Sequence, residues 1–297
     1  MSKFLLEYDA ALGDQLCFVP AVIQFSREHR NDYIAVKTTF PEIYHNSPFV
    51  DEIVINGTKT VFDEVKLVKV PLAMELRNMM LQDASAKQLG VTLLDKRPRL
   101  FLSGHERRKW LQEHVDYFKQ FEGLLAGERL VVGLAPYARW KSRQWDVERW
   151  KVVIEWLVKE YNAIVFFLGK QGSVCPSFCN DLSGTTVREL AIALEFCDLL
   201  LSTDTGVTHM AAATFTPTVA IYGPVLSKYR AMPPVLPIQA SDCIGCYHRY
   251  KLSGRIFQGS CPKNVGFKCM NDIKPDQVIE VCKKAIQRWV KSKRIMS

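Results

Sequence analysis

No stretch of the sequence reaches the roughly 18 to 20 continuous apolar residues that a membrane-spanning helix requires. The first residues, Met1 to Asp9, have no long apolar core and turn acidic at Glu7 and Asp9. They read as a first strand rather than as a signal peptide, so a cytoplasmic protein is expected. There is no Asp-x-Asp pair of the kind that holds a catalytic divalent cation, and no DNA- or RNA-binding signature. Lysines and arginines are scattered rather than clustered, which excludes nucleic acid as the expected partner. Short internal repeats and low-complexity tracts are also missing, so solenoid and disordered architectures are set aside.

What is present is the composition of a folded globular protein. Hydrophobic residues make up 48% of the 297 residues and charged residues 24%. That length suits two domains better than one core. The formal charge of +8 favours anionic partners such as nucleotide diphosphates, phosphorylated glycolipids or an acidic membrane face, although a basic surface also serves solubility alone.

Two alternating series of strand-like and helix-like segments follow one another. Lys3–Tyr8 is strand-like, residues 15–29 helical, and residues 33–38 and 52–55 are β-branched runs of strand length. Residues 73–89 read as a helix and 99–102 as a short strand. Ser103 and Glu106 then read as a capping box opening a helix to about residue 121. A Gly-containing linker lies around residues 122–128. The second series predicts strands over 130–134, 163–168, 199–202 and 218–222, and helices over 147–161 and 207–213. Thr186 and Glu189 form a further capping box ahead of a helical face. The final helix runs from Asp276 to about Lys291. Two successive βαβ series predict an α/β protein of two Rossmann-like, doubly wound domains facing across a cleft. The expected division is residues 1–125 and residues 126–297, with a loop at 243–269 and the C-terminal helix in the second.

Three segments carry chemistry. Asp9–Gln15 lies between the first strand and first helix. There Gly13 suits a tight turn, and Asp14 is either an N-cap or a carboxylate stabilised at a helix start. Leu199–Ala213 is an apolar strand, a turn rich in hydroxyls and glycine, and a small-residue helix. Its free amides and hydroxyls suit a diphosphate, and Asp204 can accept hydrogen bonds from sugar hydroxyls. His209 falls one turn into the helix on the side of Thr205 and Gly206. A capped, closely packed helix with a core histidine explains the same segment without a ligand. Lys141-Ser142-Arg143-Gln144-Trp145 places cations just past a strand end, where a phosphate-bearing leaving group or plain solvent would meet them.

The Gly13-Asp14 turn, the Arg143-Gln144-Trp145 segment, Asp181–Gly184 before a helix, and Ser202–Ala213 followed by Tyr222-Gly223-Pro224 come in the order seen in the heptosyltransferases. The sequence resembles this family, glycosyltransferase family 9, over nearly its whole length. Asp-Thr-Gly-x-x-His-x-x-Ala-Ala is the most specific part. The resemblance implies the GT-B fold and metal-independent, inverting transfer of heptose from ADP-heptose to a cell-envelope glycan, glycolipid or protein. It makes Asp14 the general base, with Gly13 beside it. Arg143 stands where the family has a lysine on the donor phosphate, and Lys141 can share that role. Asp204 would hold sugar hydroxyls, Thr205, Gly206 and Thr208 would line the diphosphate turn, and His209 would buttress it. One departure is clear: the segment after Leu168-Gly169-Lys170 is short, and the acidic residue expected there for the ribose is missing. Two other readings remain, a nucleotide-sugar epimerase of similar fold and a subunit that binds nucleotide sugar without turnover.

Nine cysteines are many for a reducing compartment, and four of them, Cys243, Cys246, Cys261 and Cys269, share one loop-rich segment. Four clustered thiols point to a structural metal, with zinc as the default and iron as the alternative, or else to unligated thiols. The resemblance favours iron, since some family members that heptosylate autotransporters carry a four-cysteine iron site. The last helix carries Lys283, Lys284, Arg288, Lys291, Lys293 and Arg294 near Trp289 and Val290. It reads as a packing helix with a solvated basic face, or as a peripheral contact with the inner membrane face.

Overall fold

The computed structural model describes residues 1–55, 57–69, 78–124, 126, 128–249 and 259–290. It forms two compact units, Met1–Ser103 and Gly104–Ser297. In the first unit, β1 (Lys3–Tyr8), β2 (Tyr33–Thr38), β3 (Glu52–Val54) and β4 (Glu64–Val68) form one parallel sheet in the order β3-β2-β1-β4. The helices α1 (Leu12–Glu28) and α2 (Leu81–Leu89) pack on each other. Fully buried Leu6, Tyr8, Leu16, Phe18, Phe25 and Ile34 build the core. The expected helix over 73–89 begins at Leu81 among the described residues; its first part lies outside them. Residues 99–102, expected as a strand, form none.

The second unit begins with α3 (Gly104–Lys119), earlier than the expected linker at 122–128. Its placement follows from packing. Trp110 and Phe118 lie against Phe196, and Phe118 against Phe166, all of the second unit. The carboxylate of Glu106, assigned to a capping box by its spacing, accepts from Arg188 Nε and Nη2 at 2.5 and 2.9 Å. The sheet of this unit contains β5 (Val131–Ala135), β6 (Ile164–Phe167), β7 (Asn180–Asp181), β8 (Leu199–Thr203), β9 (Thr218–Tyr222) and β10 (Val235–Gln239). All pairings are parallel, in the order β10-β9-β8-β5-β6-β7. β5, β6, β8 and β9 are buried throughout, as a sheet covered on both faces demands.

The helices of this unit are α4 (Val147–Tyr161), α5 (Val187–Phe196), α6 (Gly206–Thr214), the short α7 (Cys246–Arg249) and α8 (Lys268–Asn271), and α9 (Pro275–Ala285). The capping box at α5 is formed, with the Thr186 side chain on the Glu189 amide and the glutamate reaching back to Thr186. α9 continues as a π-helical turn over Ile286–Val290. Lys291, Lys293 and Arg294 lie outside the described residues. No helix among the described residues is long and apolar enough to cross a membrane.

Read in the order in which its strands occur along the chain, the second sheet runs 3-2-1-4-5-6, the arrangement of dinucleotide-binding sheets. The chain leaves the first strand in one direction and returns to the other side at the fourth. The loops after β5 and β8 therefore diverge, and a crevice opens between their carboxyl ends. In the first unit the equivalent reversal lies between β1 and β4.

Candidate active site

The crevice of the second unit is lined by the segments singled out from the sequence. After β5 the chain enters a 3-10 turn, Lys141–Arg143, so both cations stand at the carboxyl end of the sheet. After β8 it enters Asp204 and Thr205 and then α6. The adjacency of β5 and β8, with Ala135 opposite Ser202, brings these turns together. Arg143 Nη1 lies 3.2 Å from an Asp204 carboxylate oxygen and 3.4 Å from the Asp204 backbone oxygen. Its guanidinium stacks on Trp140 at 3.8 Å from the ring centroid. Asp204 is 3% exposed, so its charge has been taken out of water and Arg143 is its counter-ion. Lys141 is exposed.

The turn itself is held by hydroxyls. Thr208 Oγ1 donates to the Thr203 carbonyl at 2.7 Å and lies 3.1 Å from Ser202 Oγ. Ser202 Oγ also reaches the Thr203 and Ala135 carbonyls, at 3.0 and 3.3 Å, tying β8 to β5 beneath the turn. Thr208 therefore shapes the turn from beneath: it is buried, whereas Thr205 and Gly206 are half-exposed at the helix start. Thr205 is the N-cap of α6, and its side chain makes no capping hydrogen bond to the first turn. His209 is buried behind it. Burial pushes its pKa down to about 4, Asp204 opposes the shift, and Arg230 and Arg143 add to it. The histidine is therefore neutral at ordinary pH.

Two of these groups were not marked by the sequence reading. Trp140 gave no signal beyond lying two residues before Ser142 in the basic segment. Arg230 follows the 3-10 turn Ser227–Tyr229 in the loop between β9 and β10 and is 6% exposed. In sequence it looks like any surface arginine.

Asp14 belongs to the first unit. Ala11 is the N-cap of α1, so Asp14 sits in the first helical turn rather than at the cap, half-buried and near the positive end of the helix dipole. Gly13 is buried in that first turn and is not among the residues with positive φ. The expected tight backbone turn at Gly13 is thus a helical position instead. Gln15, fully buried, donates from Nε2 to the Tyr8 carbonyl and pins the start of α1 to the end of β1. A groove further along α1, lined by Arg27, Asp95, Arg97 and Arg99, begins more than a turn beyond Asp14 and does not include it.

The region after Leu168 remains without an acidic residue before Asp181, as the sequence indicated. Gly169 is required there because a side chain would run into the Phe167 ring, 2.1 Å from an added Cβ. Asp181, in edge strand β7, accepts from the Ser183 amide at 2.9 Å.

The four cysteines fall in the segments after β10. Among the described residues no group of three or more His, Cys, Asp or Glu stands in the arrangement of a metal site. Their chemistry nevertheless fits a cation. Burial pushes the Cys269 thiol up to about 12, and Cys243, Cys246 and Cys261 all add to that shift. The same two causes hold Cys246 at about 11, so the four thiols sense one another electrostatically. At Cys261 burial is outweighed by hydrogen bonds to sulfur from the amides of Val265, Phe267, Lys263 and Asn264, which lower its pKa. Asn264, Gly266 and Phe267 all take positive φ, which folds the chain around that sulfur. Gly245, inside Cys243-x2-Cys246, is left-handed as well, and its amide bonds the Gly223 carbonyl at 3.2 Å.

The profile of glycosyltransferase family 9 (heptosyltransferase) matches residues 58–253. Lipooligosaccharide heptosyltransferase 2 of Campylobacter jejuni serotype O:6 is 22% identical, over 95% of this chain and 98% of that protein. The serotype O:2 protein of the same name is 27% identical over 55% of this chain, and the match spans about half, 53%, of its length. Among solved structures, the family 9 glycosyl transferase of Veillonella parvula superposes with a TM-score of 0.77 at 13% identity, over 96% of this chain and 97% of that one. The iron-containing dodecameric glycosyltransferase TibC of enterotoxigenic E. coli does so with 0.77 at 19% identity, over 96% of this chain and 76% of that one. It has also been solved in complex with ADP-D-beta-D-heptose. The fold is that of the GT-B glycosyltransferases of family 9, and the profile match covers most of the sequence, so the chain belongs to glycosyltransferase family 9, the heptosyltransferases.

Proposed function

We propose that this protein transfers heptose from ADP-heptose to a cell-envelope glycan, glycolipid or protein, with inversion at the anomeric carbon. The observation that carries the reading is the Arg143–Asp204 pair, set before an uncapped helix start at the reversal point of the second sheet. Amides at Thr205 and Gly206 with the Lys141 and Arg143 cations would hold the diphosphate and stabilise it as it leaves. Asp204 would accept from sugar hydroxyls, and His209, being neutral, would support the turn without adding a competing charge. Asp14, on the first unit, would take the proton of the acceptor hydroxyl. That oxygen bonds to the anomeric carbon as the bond to the diphosphate oxygen breaks, and the nucleoside diphosphate leaves.

The relatives named for heptose transfer, and TibC solved with ADP-D-beta-D-heptose, support the choice of sugar and nucleotide. The iron named for TibC supports a structural metal on Cys243, Cys246, Cys261 and Cys269. Such an ion would cross-link a segment with little core of its own, and the amides around Cys261 would stabilise its thiolate. The transfer step needs no part of it. The basic face of α9, with Lys283 and Lys284, suits a peripheral contact with the inner membrane face, where a lipid-linked acceptor would lie.

The test is ADP release and product mass spectrometry with ADP-heptose, for the wild type and Asp14→Ala. The variant should bind donor as the wild type does and turn over at least about a hundredfold more slowly, the usual share of a general base. Full turnover in the variant would remove Asp14 from this role. Sugar conversion without any acceptor would instead indicate an epimerase.

A further inference from the structure

We infer that Arg230 is a diphosphate-binding cation of the donor site, a role that no sequence motif assigns to it. The inference rests on the proposed nucleotide-diphosphate donor and adds a residue from a different loop.

Buried arginines are costly unless their charge is met. Arg188 shows the ordinary solution: at 9% exposure it is clamped by both Glu106 oxygens. Arg230 is more deeply buried, at 6% exposure, yet among the described residues its side chain makes a single hydrogen bond, from Nη1 to the Tyr229 carbonyl at 2.9 Å. Among the described residues no carboxylate lies within ion-pair distance of it. A guanidinium has five N–H donors, so most of its capacity is left for something that is not protein.

Its position indicates what that something is. β9 pairs with β8, Thr203 lies opposite Ile221, and the Asp204 amide donates to the Ile221 carbonyl at 3.1 Å. The loop that leaves β9 thus starts beside the turn that leaves β8. Arg230 sits in that loop, and its charge acts on His209, which also feels Asp204 and Arg143. One cluster therefore holds two guanidinium cations, one carboxylate already engaged by Arg143, and a neutral imidazole. Of the charges that act on His209, two are positive and one is negative, and Lys141 adds a further cation beside Arg143. A dianionic diphosphate ester is the ligand that this balance and the planar fork of an arginine both suit.

The experiment measures binding of ADP, AMP and adenosine by calorimetry, and melting of the ligand-free protein, for the wild type, Arg230→Met and Arg230→Lys. Arg230→Met should bind ADP about tenfold or more weakly, the loss of a charge-assisted hydrogen bond, with adenosine unchanged and AMP in between. Arg230→Lys should recover part of the ADP affinity. Ligand-free Arg230→Met should melt no lower than the wild type, because a buried charge without a partner has been removed. A lower melting temperature with unchanged ADP affinity would make Arg230 a structural residue and overturn the inference. Failure of the wild type to bind ADP at all would overturn the donor reading along with it, so the two failures are distinguishable.

Discussion

His209 makes acid stability a sharp test of how the proposed donor turn is built. It is neutral when folded, with a pKa near 4 caused chiefly by burial, against about 6.5 for an exposed histidine. Between those values the unfolded chain takes up a proton that the folded protein refuses, so the folded state loses stability as pH falls through 6.5. The loss levels off below about 4, where both states are protonated. At 1.36 kcal/mol per pKa unit, one such histidine removes about 2.5 kcal/mol of stability between pH 7.5 and pH 4.5. Carboxylates also titrate over this range, so the wild type alone does not isolate the effect. The comparison is with His209→Gln, in which every other group is kept. Urea unfolding at pH 7.5, 6.5, 5.5 and 4.5 should show the variant losing less stability on acidification, with the difference growing to about 2.5 kcal/mol at the lowest pH. Whatever constant cost the substitution carries cancels from that slope. Parallel curves for the two proteins would mean that His209 is accessible to protons, and the packed turn behind the donor site would have to be redrawn.

Three further outcomes are expected. Asp204→Asn should weaken binding of the nucleotide sugar about tenfold while leaving ADP binding unchanged or tighter, since Arg143 loses its counter-ion; calorimetry with both ligands checks this, and equal losses would contradict a sugar-hydroxyl role. Thr208→Val should cost about 1 kcal/mol in chemical denaturation, because the bond to the Thr203 carbonyl is lost with shape retained. Gly223→Ala should destabilise by about 1 to 3 kcal/mol and reduce the iron or zinc content that the proposed cysteine site would give in elemental analysis, since the new Cβ would stand 2.5 Å from Met270 Sδ and 3.0 Å from Cys269 Sγ. Normal stability and metal content in that variant would separate Gly223 from the cysteine segment.

Much of the fold was legible because its signals are local. The capping box of Thr186 and Glu189 is complete within four residues, and the apolar runs that become β5, β6, β8 and β9 are continuous because both faces are covered. Edge strand β3 was expected at residues 52–55 and formed, but two other edge strands were missed. β10 contains Pro237, which argues against a central strand and is tolerated at an edge. β4, also an edge, carries exposed Val65 and Leu67 on either side of Lys66 and looks like a surface loop. Residues 99–102 have strand-like composition, yet no strand is formed over them.

By itself, the sequence determined the fold class, the alternation of strands and helices in two series, and the turns that bear Arg143 and Asp204. Each depends on periodicity or on neighbours a few residues apart. Only the tertiary structure decided what lies next to what. α3 joined the second unit because Trp110 and Phe118 found aromatic partners there. Arg143 became the counter-ion of Asp204 because strand order, not sequence distance, placed β5 beside β8. Arg230 became a donor-site candidate because packing buries it where, among the described residues, no carboxylate lies within ion-pair distance. Electrostatic consequences of this kind follow from desolvation, which is a property of the packed chain and not of any segment read alone.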